Sequence, residues 1–202
     1  MERFLFRAQR ASAAPVRPVV CGCPGRAATL ALFQDGANYY LYYETEVGAV
    51  TPEELFPDLT PWLLDWPGKK APRKWVPLTE IFHYHDISKF ASWRTTGEKK
   101  PWGRVIRLKP DHIASYVFYH YQRQEEMPGD GDQYGVIGLW ENSLFFYSER
   151  PSVCTPPHYS GKLATKSSPI DQWPQLMGEH FLTPGEQWRD IPAVCYLPYH
   201  IA

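Results

Sequence analysis

The chain has 202 residues, 44% hydrophobic and 15% aromatic, which is enough to build the core of one large domain or two small ones. Its formal net charge of −1 points to neither nucleic acid nor an anionic membrane surface as a partner. No apolar run approaches the ~20 residues that span a bilayer. Because Met1-Glu-Arg-Phe-Leu-Phe-Arg7 carries charges where a signal peptide has an apolar block, we expect a cytoplasmic protein.

The N-terminal part of the chain is dominated by extended segments. Alternation over Arg3 to Gln9 predicts a strand, whereas the prolines and glycines of residues 10–25, among them Pro15 and Pro18, argue against a long helix there. Residues 27–33 and 38–44 again favour strands. Asp35-Gly36 between them predicts a tight hairpin turn in which both residues are central.

A helix signal follows this hairpin. Thr51 is suited to cap a helix that has Pro52 in its first turn, and acidic residues follow at its positive end. Pro57 and Pro61 predict that this helix is short or broken before Trp66. Residues 78–85 are then expected to be extended.

The pattern starts again after a polar stretch. Residues 104–108 resemble the opening strand, Pro110 begins a predicted helix, and residues 133–140 and 143–149 predict two strands joined by Glu141-Asn142. A second helix is predicted from Ser168-Pro169 to about His180. A last strand is predicted over residues 191–199.

An internal repeat gives these elements an order. Trp75-Val-Pro-Leu-Thr-Glu-Ile81 aligns with Trp188-Arg-Asp-Ile-Pro-Ala-Val194, with the tryptophans in register. Each half then reads as strand, connection, strand, strand, helix, strand, which is the ferredoxin-like arrangement. We therefore predict an α+β protein of tandem ferredoxin-like repeats that form an intramolecular, pseudo-dimeric α+β barrel. The repeats are placed at residues 1–86, with a degenerate first helix, and 102–202, and residues 87–101 are the linker.

Residues at both ends of the chain carry a resemblance to a known family. They are Met1 to Phe6, Leu30 to Phe33, Tyr39 to Glu44, Thr183-Pro184, Trp188-Arg189, Ala193 and Tyr196. With them the chain resembles the small aromatic polyketide cyclases of the tetracenomycin F2 cyclase type, which are dimeric α+β barrels and need no cofactor. Fusion in tandem and the Pro-rich segment 10–25 depart from that family, so we expect the working pocket in the second half.

A second resemblance concerns one helix and part of a sheet. Pro110-Asp111, Tyr116-x-x-x-His120, Tyr134 and Trp173 are similar to positions of the L-rhamnose mutarotases, which share the fold. In that family the histidine donates a proton. The same residues therefore leave a sugar epimerase open as an alternative function.

The candidate site is built around His120. Tyr116 and His120, four residues apart, share one face of the predicted helix, and a histidine titrates near neutral pH, which suits a general acid or base. Arg104 and Arg107 differ in strand parity, so one of them should face the sheet interior, where it could hold a ketone, enolate or carboxylate. The predicted catalytic residues are His120, Tyr116 and Arg107, and the predicted substrate contacts are Tyr134, Trp140, Tyr147, Trp173 and Arg104.

Other patterns favour structure over chemistry. His83 and His85 lie on one side of a strand, but no recognised motif completes a metal site with Asp86 or His112. Ser115 has no histidine–aspartate pattern around it, which disfavours a serine hydrolase. Cys21-Gly-Cys23 is too tightly spaced for a metal knuckle, so Cys21, Cys23, Cys154 and Cys195 are expected to be free thiols.

The resemblances and the residues together predict a cofactor-independent cyclase that closes a ring in an aromatic polyketide intermediate, in a pocket between sheet and helix. Such an enzyme would serve antibiotic or pigment biosynthesis. The expected partner is a hydrophobic, aromatic small molecule, and a homodimer is left open. A non-catalytic barrel that binds an aromatic intermediate remains the alternative of a different class.

Overall fold

The computed structural model describes residues 1–12, 19–22, 24–46, 48, 50–95 and 97–199, so Cys23, Pro15 and Pro18 lie outside the described part. Its N-terminal half contains β1 (Glu2–Gln9), β2 (Thr29–Asp35), β3 (Asn38–Thr45), α1 (Pro52–Leu55), β4 (Val76–Pro77) and β5 (Thr79–His83). The C-terminal half contains β6 (Lys100–Arg107), α2 (Ile113–Glu126), β7 (Val136–Trp140), β8 (Ser143–Arg150), α3 (Trp173–His180), β9 (Arg189–Ile191) and β10 (Ala193–Leu197).

The described strands form two antiparallel five-stranded sheets, which makes this an α+β fold. The first sheet has the order β10-β2-β3-β1-β4 and the second has the order β5-β7-β8-β6-β9. Four strands of each sheet thus follow the 4-1-3-2 order of a ferredoxin-like unit. The fifth strand of each sheet comes from the other half of the chain. β10 adds to the sheet formed by β1 to β4, and β5 adds to the sheet formed by β6 to β9.

Strand pairing is the same in both sheets. β1 and β3 pair from Glu2↔Thr45 to Gln9↔Asn38, and β6 and β8 pair over the same length, from Lys100↔Arg150 to Arg107↔Ser143. The pair Phe6↔Pro77 between β1 and β4 has its counterpart in Arg104↔Asp190 between β6 and β9. The ladders of β1 with β3 and β4 therefore match those of β6 with β8 and β9 in register.

The exchanged edge strands share an irregularity. The β5–β7 ladder shifts register between Glu80 and Phe82, and the β10–β2 ladder shifts between Ala193 and Cys195. Alignment of Trp75 with Trp188 places Glu80 at Ala193 and Phe82 at Cys195, so the bulges coincide. A β-bulge bends a strand and increases its twist, and here it lies at the edge where each half joins the other sheet.

Several local expectations need correction. The strand predicted over residues 191–199 is two strands in different sheets, because β9 ends at Ile191 and β10 begins after Pro192. The central residues of the hairpin turn are Gly36, at φ +58°, and Ala37, since Asp35 pairs with Asn38. The α-helices predicted from Pro110 and Ser168 begin later, at Ile113 and Trp173, each after a 3₁₀ turn.

The helix predicted after Thr51 forms for only one turn. Thr51 and Glu54 make a reciprocal capping box, with the Thr51 amide 2.8 Å from Glu54 Oε2. The helix ends at Leu55, before Pro57. Loops therefore cover the outer face of the first sheet, whereas α2 packs on the outer face of the second sheet and α3 packs against it there.

The inner faces of the two sheets interlock through glycines. A Cβ atom on Gly103 would lie 2.5 Å from the ring of Phe33, and one on Gly138 would lie 3.2 Å from Leu5 Cδ2. By strand register, Gly103 corresponds to Leu5 and Gly138 to Phe33. Phe33 thus fills the space left by Gly103, Leu78 at 2.8 Å and Leu5 together fill the space left by Gly138, and the interior between the sheets is closely packed.

A buried ion triplet lies where the two inner faces meet. Arg94, from the segment between β5 and β6, donates to both oxygens of Glu44 at 2.7 Å and to Glu149 Oε1 at 2.7 Å. The side chains of both glutamates are 0% exposed and that of Arg94 is 3% exposed. Tyr42 and Tyr147 donate to the same two carboxylates, and their rings stack at 3.6 Å.

We expect Arg94→Met to destabilise the protein by about 3–5 kcal/mol, because it leaves two buried carboxylates without their counter-ion. Urea denaturation at pH 7 measures the loss. Arg189→Met is the matched control: its ion pair with Asp35 is largely exposed and should contribute less than about 1 kcal/mol. Equal losses in the two variants would contradict this role of Arg94.

We expect Gly103→Ala to cost about 1–3 kcal/mol, because the new methyl group overlaps the rigid ring of Phe33. Combining it with Phe33→Leu should recover part of that loss, which a double-mutant cycle measures as a coupling free energy. Gly25→Ala, where a Cβ meets nothing within 4 Å, serves as the control. Additive effects of Gly103→Ala and Phe33→Leu would argue against the interlocking faces.

Candidate functional site

A cavity of about 390 Å³ lies between the outer face of the second sheet and helices α2 and α3. This volume falls in the range of small-molecule sites. Its walls are largely aromatic, with Phe82 from β5, Phe146 from β8 and Trp173 from α3. The arrangement suits a flat, mainly apolar molecule.

The corresponding face of the first sheet is more aromatic. Phe4 pairs with Tyr43 there, and their rings stack at 5.0 Å. The corresponding pair in the second sheet is Trp102↔Ser148, in which a serine replaces the tyrosine. Strand register also places Arg104 where the first sheet has Phe6. A polar side chain therefore replaces an aromatic one at two positions of the face that carries the cavity.

Tyr116 and His120 form the polar part of the cavity wall. Both are buried on the inner face of α2, their rings stack at 4.0 Å, and Trp173 and Phe82 meet the imidazole edge-on at 5.0 and 5.2 Å. His120 Nδ1 lies 2.9 Å from the Tyr116 carbonyl oxygen, so this nitrogen carries the proton in the neutral ring. Nε2 then remains as an acceptor, and it has no hydrogen-bond partner among the described residues.

Burial sets the protonation of both side chains. It lowers the pKa of His120 to about 3, and the nearby Arg123 and His180 act in the same direction. It also raises the pKa of Tyr116 well above its usual value. At neutral pH the wall therefore presents an uncharged acceptor, His120 Nε2, beside an uncharged donor, the Tyr116 hydroxyl.

Two arginines add positive charge to the cavity wall. Arg123, on the same face of α2, lies 4.7 Å from the ring of Trp173 and donates to Asp130 at 2.7 Å. Arg104 projects from β6, with its Cζ 5.0 Å from the ring centre of Trp102. Both guanidinium groups lie within cation–π distance of a tryptophan ring.

The structure brings together half of the residues predicted for the site. His120, Tyr116, Trp173 and Arg104 line the cavity, and the other four do not. Arg107 ends β6 as an exposed residue. Tyr134 lies under the Arg94 guanidinium at 4.4 Å, Trp140 packs edge-on against Trp66 at 6.4 Å, and Tyr147 stacks on Tyr42 between the sheets.

Some lining residues were not predicted. Arg123 is one turn beyond His120, and the spacing of 116, 120 and 123 is the signal that could have placed it on the same face. Trp188 supported the repeat and the resemblance to the polyketide cyclases, but it was not predicted to line the site. Tyr84 and Phe82 enter through the exchange of β5 into the second sheet, which no local pattern indicates.

Other candidate chemistry finds less support. Among the described residues, no group of three or more histidine, cysteine, aspartate or glutamate side chains could hold a metal ion. Cys154 and Cys195 are free thiols. Ser115 does meet a histidine, with its Oγ 2.9 Å from His180 Nε2, but His180 Nδ1 lies 2.7 Å from the Leu176 carbonyl, so no carboxylate completes a triad.

Comparison with known proteins identifies no relative from which a function could be inferred. No family model, curated protein or solved structure matches the chain. The resemblances to polyketide cyclases and to rhamnose mutarotases therefore remain expectations drawn from the sequence. In the described part of the chain, no helix has the length and apolar character needed to cross a bilayer.

We expect His120 to make the protein less stable in acid. Its pKa is lower in the folded protein, about 3, than in the unfolded chain, ~6.5. The unfolded chain therefore binds the extra proton, and stability falls as the pH drops from ~6.5 to ~3. His120→Phe removes this proton uptake, and urea denaturation between pH 4 and 7 measures it as a shallower dependence of stability on pH.

His112→Phe is the control for this experiment, since His112 lies at the start of the same helix with a side chain that is 38% exposed. Other groups whose folded pKa is lowered, such as Glu80, are present in both variants and cancel in the comparison. Equal slopes for wild type and His120→Phe would show that His120 titrates normally in the folded protein.

Proposed function

We propose that this protein binds a flat, aromatic small molecule in the cavity between α2, α3 and the second sheet, and that the ligand donates a hydrogen bond to His120 Nε2. The observation that carries the proposal is the neutral acceptor, His120, next to a neutral donor, Tyr116, in an aromatic wall. A phenol or an enol offers both the ring and the hydroxyl group that such a wall complements.

The unpaired Nε2 of His120 favours a ligand that donates a hydrogen bond. An apolar ligand that covers His120 Nε2 without a hydrogen bond leaves a desolvated acceptor, which costs about 1–3 kcal/mol. A ligand with a hydroxyl group there avoids that cost. The cavity should therefore discriminate between molecules of the same shape by the presence of one donor.

A cofactor-independent cyclase is the second candidate. Ring closure of a poly-ketone needs a base for a carbon next to a carbonyl group and a donor to the oxygen that leaves as water. His120 and Tyr116, whose rings stack side by side, are the candidates for those roles. The low pKa of His120, about 3, makes it a weak base. Binding is therefore the reading that the geometry supports best.

We also infer that the chain is a duplicated ferredoxin-like unit whose halves form an intramolecular α+β barrel, with the boundary between β5 and β6. The matching strand orders, the matching β1–β3 and β6–β8 registers and the coincident bulges support this inference. After such a duplication, the outer face of each sheet could change separately, as the replacement of Tyr43 and Phe6 by Ser148 and Arg104 at corresponding positions illustrates.

We expect 2-naphthol to bind more tightly than 2-methoxynaphthalene by roughly 5- to 100-fold, the equivalent of ~1–3 kcal/mol. Quenching of the fluorescence of Trp102, Trp173 and Trp188, which line the cavity, measures both affinities. His120→Phe should remove the preference, and His112→Phe should keep it. If neither compound binds, or if the preference survives His120→Phe, the proposal is wrong.

Turnover separates the two candidates. Aldol closure of heptane-2,4,6-trione with loss of one water gives 5-methylresorcinol, which absorbs in the near ultraviolet. A cyclase should accelerate this reaction and lose the acceleration in His120→Ala while still binding 5-methylresorcinol. A protein that only binds gives no acceleration. Faster anomer exchange of L-rhamnose, followed by saturation-transfer NMR, would instead favour the mutarotase alternative.

A further inference from the structure

Arg104 places a charge on a sheet face that is otherwise built for apolar packing. At the corresponding position of the first sheet, Phe6 lies against Tyr43 at 6.0 Å between ring centres. Burying a cation costs free energy unless the charge is compensated. The partners of Arg104 therefore decide whether the residue is only structural.

The guanidinium group of Arg104 has N–H groups that make no hydrogen bond among the described residues. Nη2 donates to the Trp188 carbonyl oxygen at 3.0 Å, and Nε lies 3.2 Å from an oxygen of Asp190 in a geometry that makes no hydrogen bond. Nη1 has no hydrogen-bond partner among the described residues and is not buried. The Asp190 side chain is 71% exposed, so it compensates the charge only weakly.

A second cation strengthens the positive potential at this end of the cavity. Arg150 lies over the ring of Trp102 with its Cζ 3.8 Å from the centroid, and Arg104 lies 5.0 Å from the same ring. Burial lowers the pKa of Arg104, Asp190 opposes that shift, and Arg150 adds to it. Two arginines and one aspartate leave this cluster with a net charge of one positive.

We propose that the ligand of the cavity is an aromatic carboxylate whose anionic group is bound by Arg104. This inference rests on the proposed function and specifies its substrate class. The unpaired Nη1 offers a charge-assisted hydrogen bond to a carboxylate oxygen, while Trp102 and Trp188 hold the guanidinium plane. The neutral pair of Tyr116 and His120 then receives the uncharged hydroxyl group of the same ligand.

Matched probes test the charge. The carboxylate 6-hydroxy-2-naphthoate and the amide 6-hydroxy-2-naphthamide have the same ring and hydroxyl group, so tryptophan quenching compares only the anionic group. We expect the carboxylate to bind about 10- to 100-fold more tightly in low salt, as a charge-assisted hydrogen bond predicts. Arg104→Gln should bring the ratio close to one while the affinity for the amide is kept.

Arg189→Gln is the control, since it removes an arginine from the adjacent strand β9 that is absent from the cavity wall. It should leave the ratio unchanged. Equal binding of both probes to the wild type overturns the proposal, and this comparison does not depend on the stability of any variant. A ratio that is unchanged in Arg104→Gln also overturns it. Failure of both probes to bind overturns the proposed function itself.

Discussion

The ion triplet of Arg94 with Glu44 and Glu149 is the interaction on which the arrangement of the two sheets depends. Glu44 and Glu149 occupy corresponding positions in the two sheets, so sheet packing brings two like charges into a buried region. One guanidinium group from the connecting segment neutralises part of that charge and joins both sheets at 2.7 Å. The triplet therefore requires the connection, as well as the sheets, to adopt one conformation.

Fixing the inner faces leaves the outer faces free to differ. Phe33 against Gly103 and Leu5 against Gly138 complement each other across the interface, so a change in one half is tied to a change in the other. No such constraint couples the outer faces, which contact loops on one side and helices on the other. The cavity lies on the outer face of the second sheet, where its side chains can change without disturbing the core.

Local signals in the sequence were sufficient for most strands and for the start of α1, because alternation and capping depend on neighbouring residues. The alignment of Trp75 with Trp188 also matches β4 with β9 and the start of β5 with that of β10. The exchange of β5 and β10 between sheets could not be predicted from local patterns, since it depends on pairs such as Phe82↔Ile137 and Tyr196↔Ala31, whose partners lie 55 and 165 residues apart. Strand parity places Arg104 and Arg107 on opposite faces of β6, but it does not tell which face carries the cavity. The same ambiguity explains why Tyr147 was predicted to bind the ligand, although it lies between the two sheets.

The electrostatics of the cavity follow from how differently its polar groups are solvated. His120 lies among Phe82, Tyr116 and Trp173 and bonds to a backbone carbonyl, so the neutral imidazole is strongly favoured. Arg104 cannot lose its proton at any physiological pH and keeps its charge beside Trp102. One wall of the cavity thus offers a neutral hydrogen-bonding pair and another a fixed cation. The ligand that we propose, with a hydroxyl group and an anionic group, would meet both walls in one orientation only.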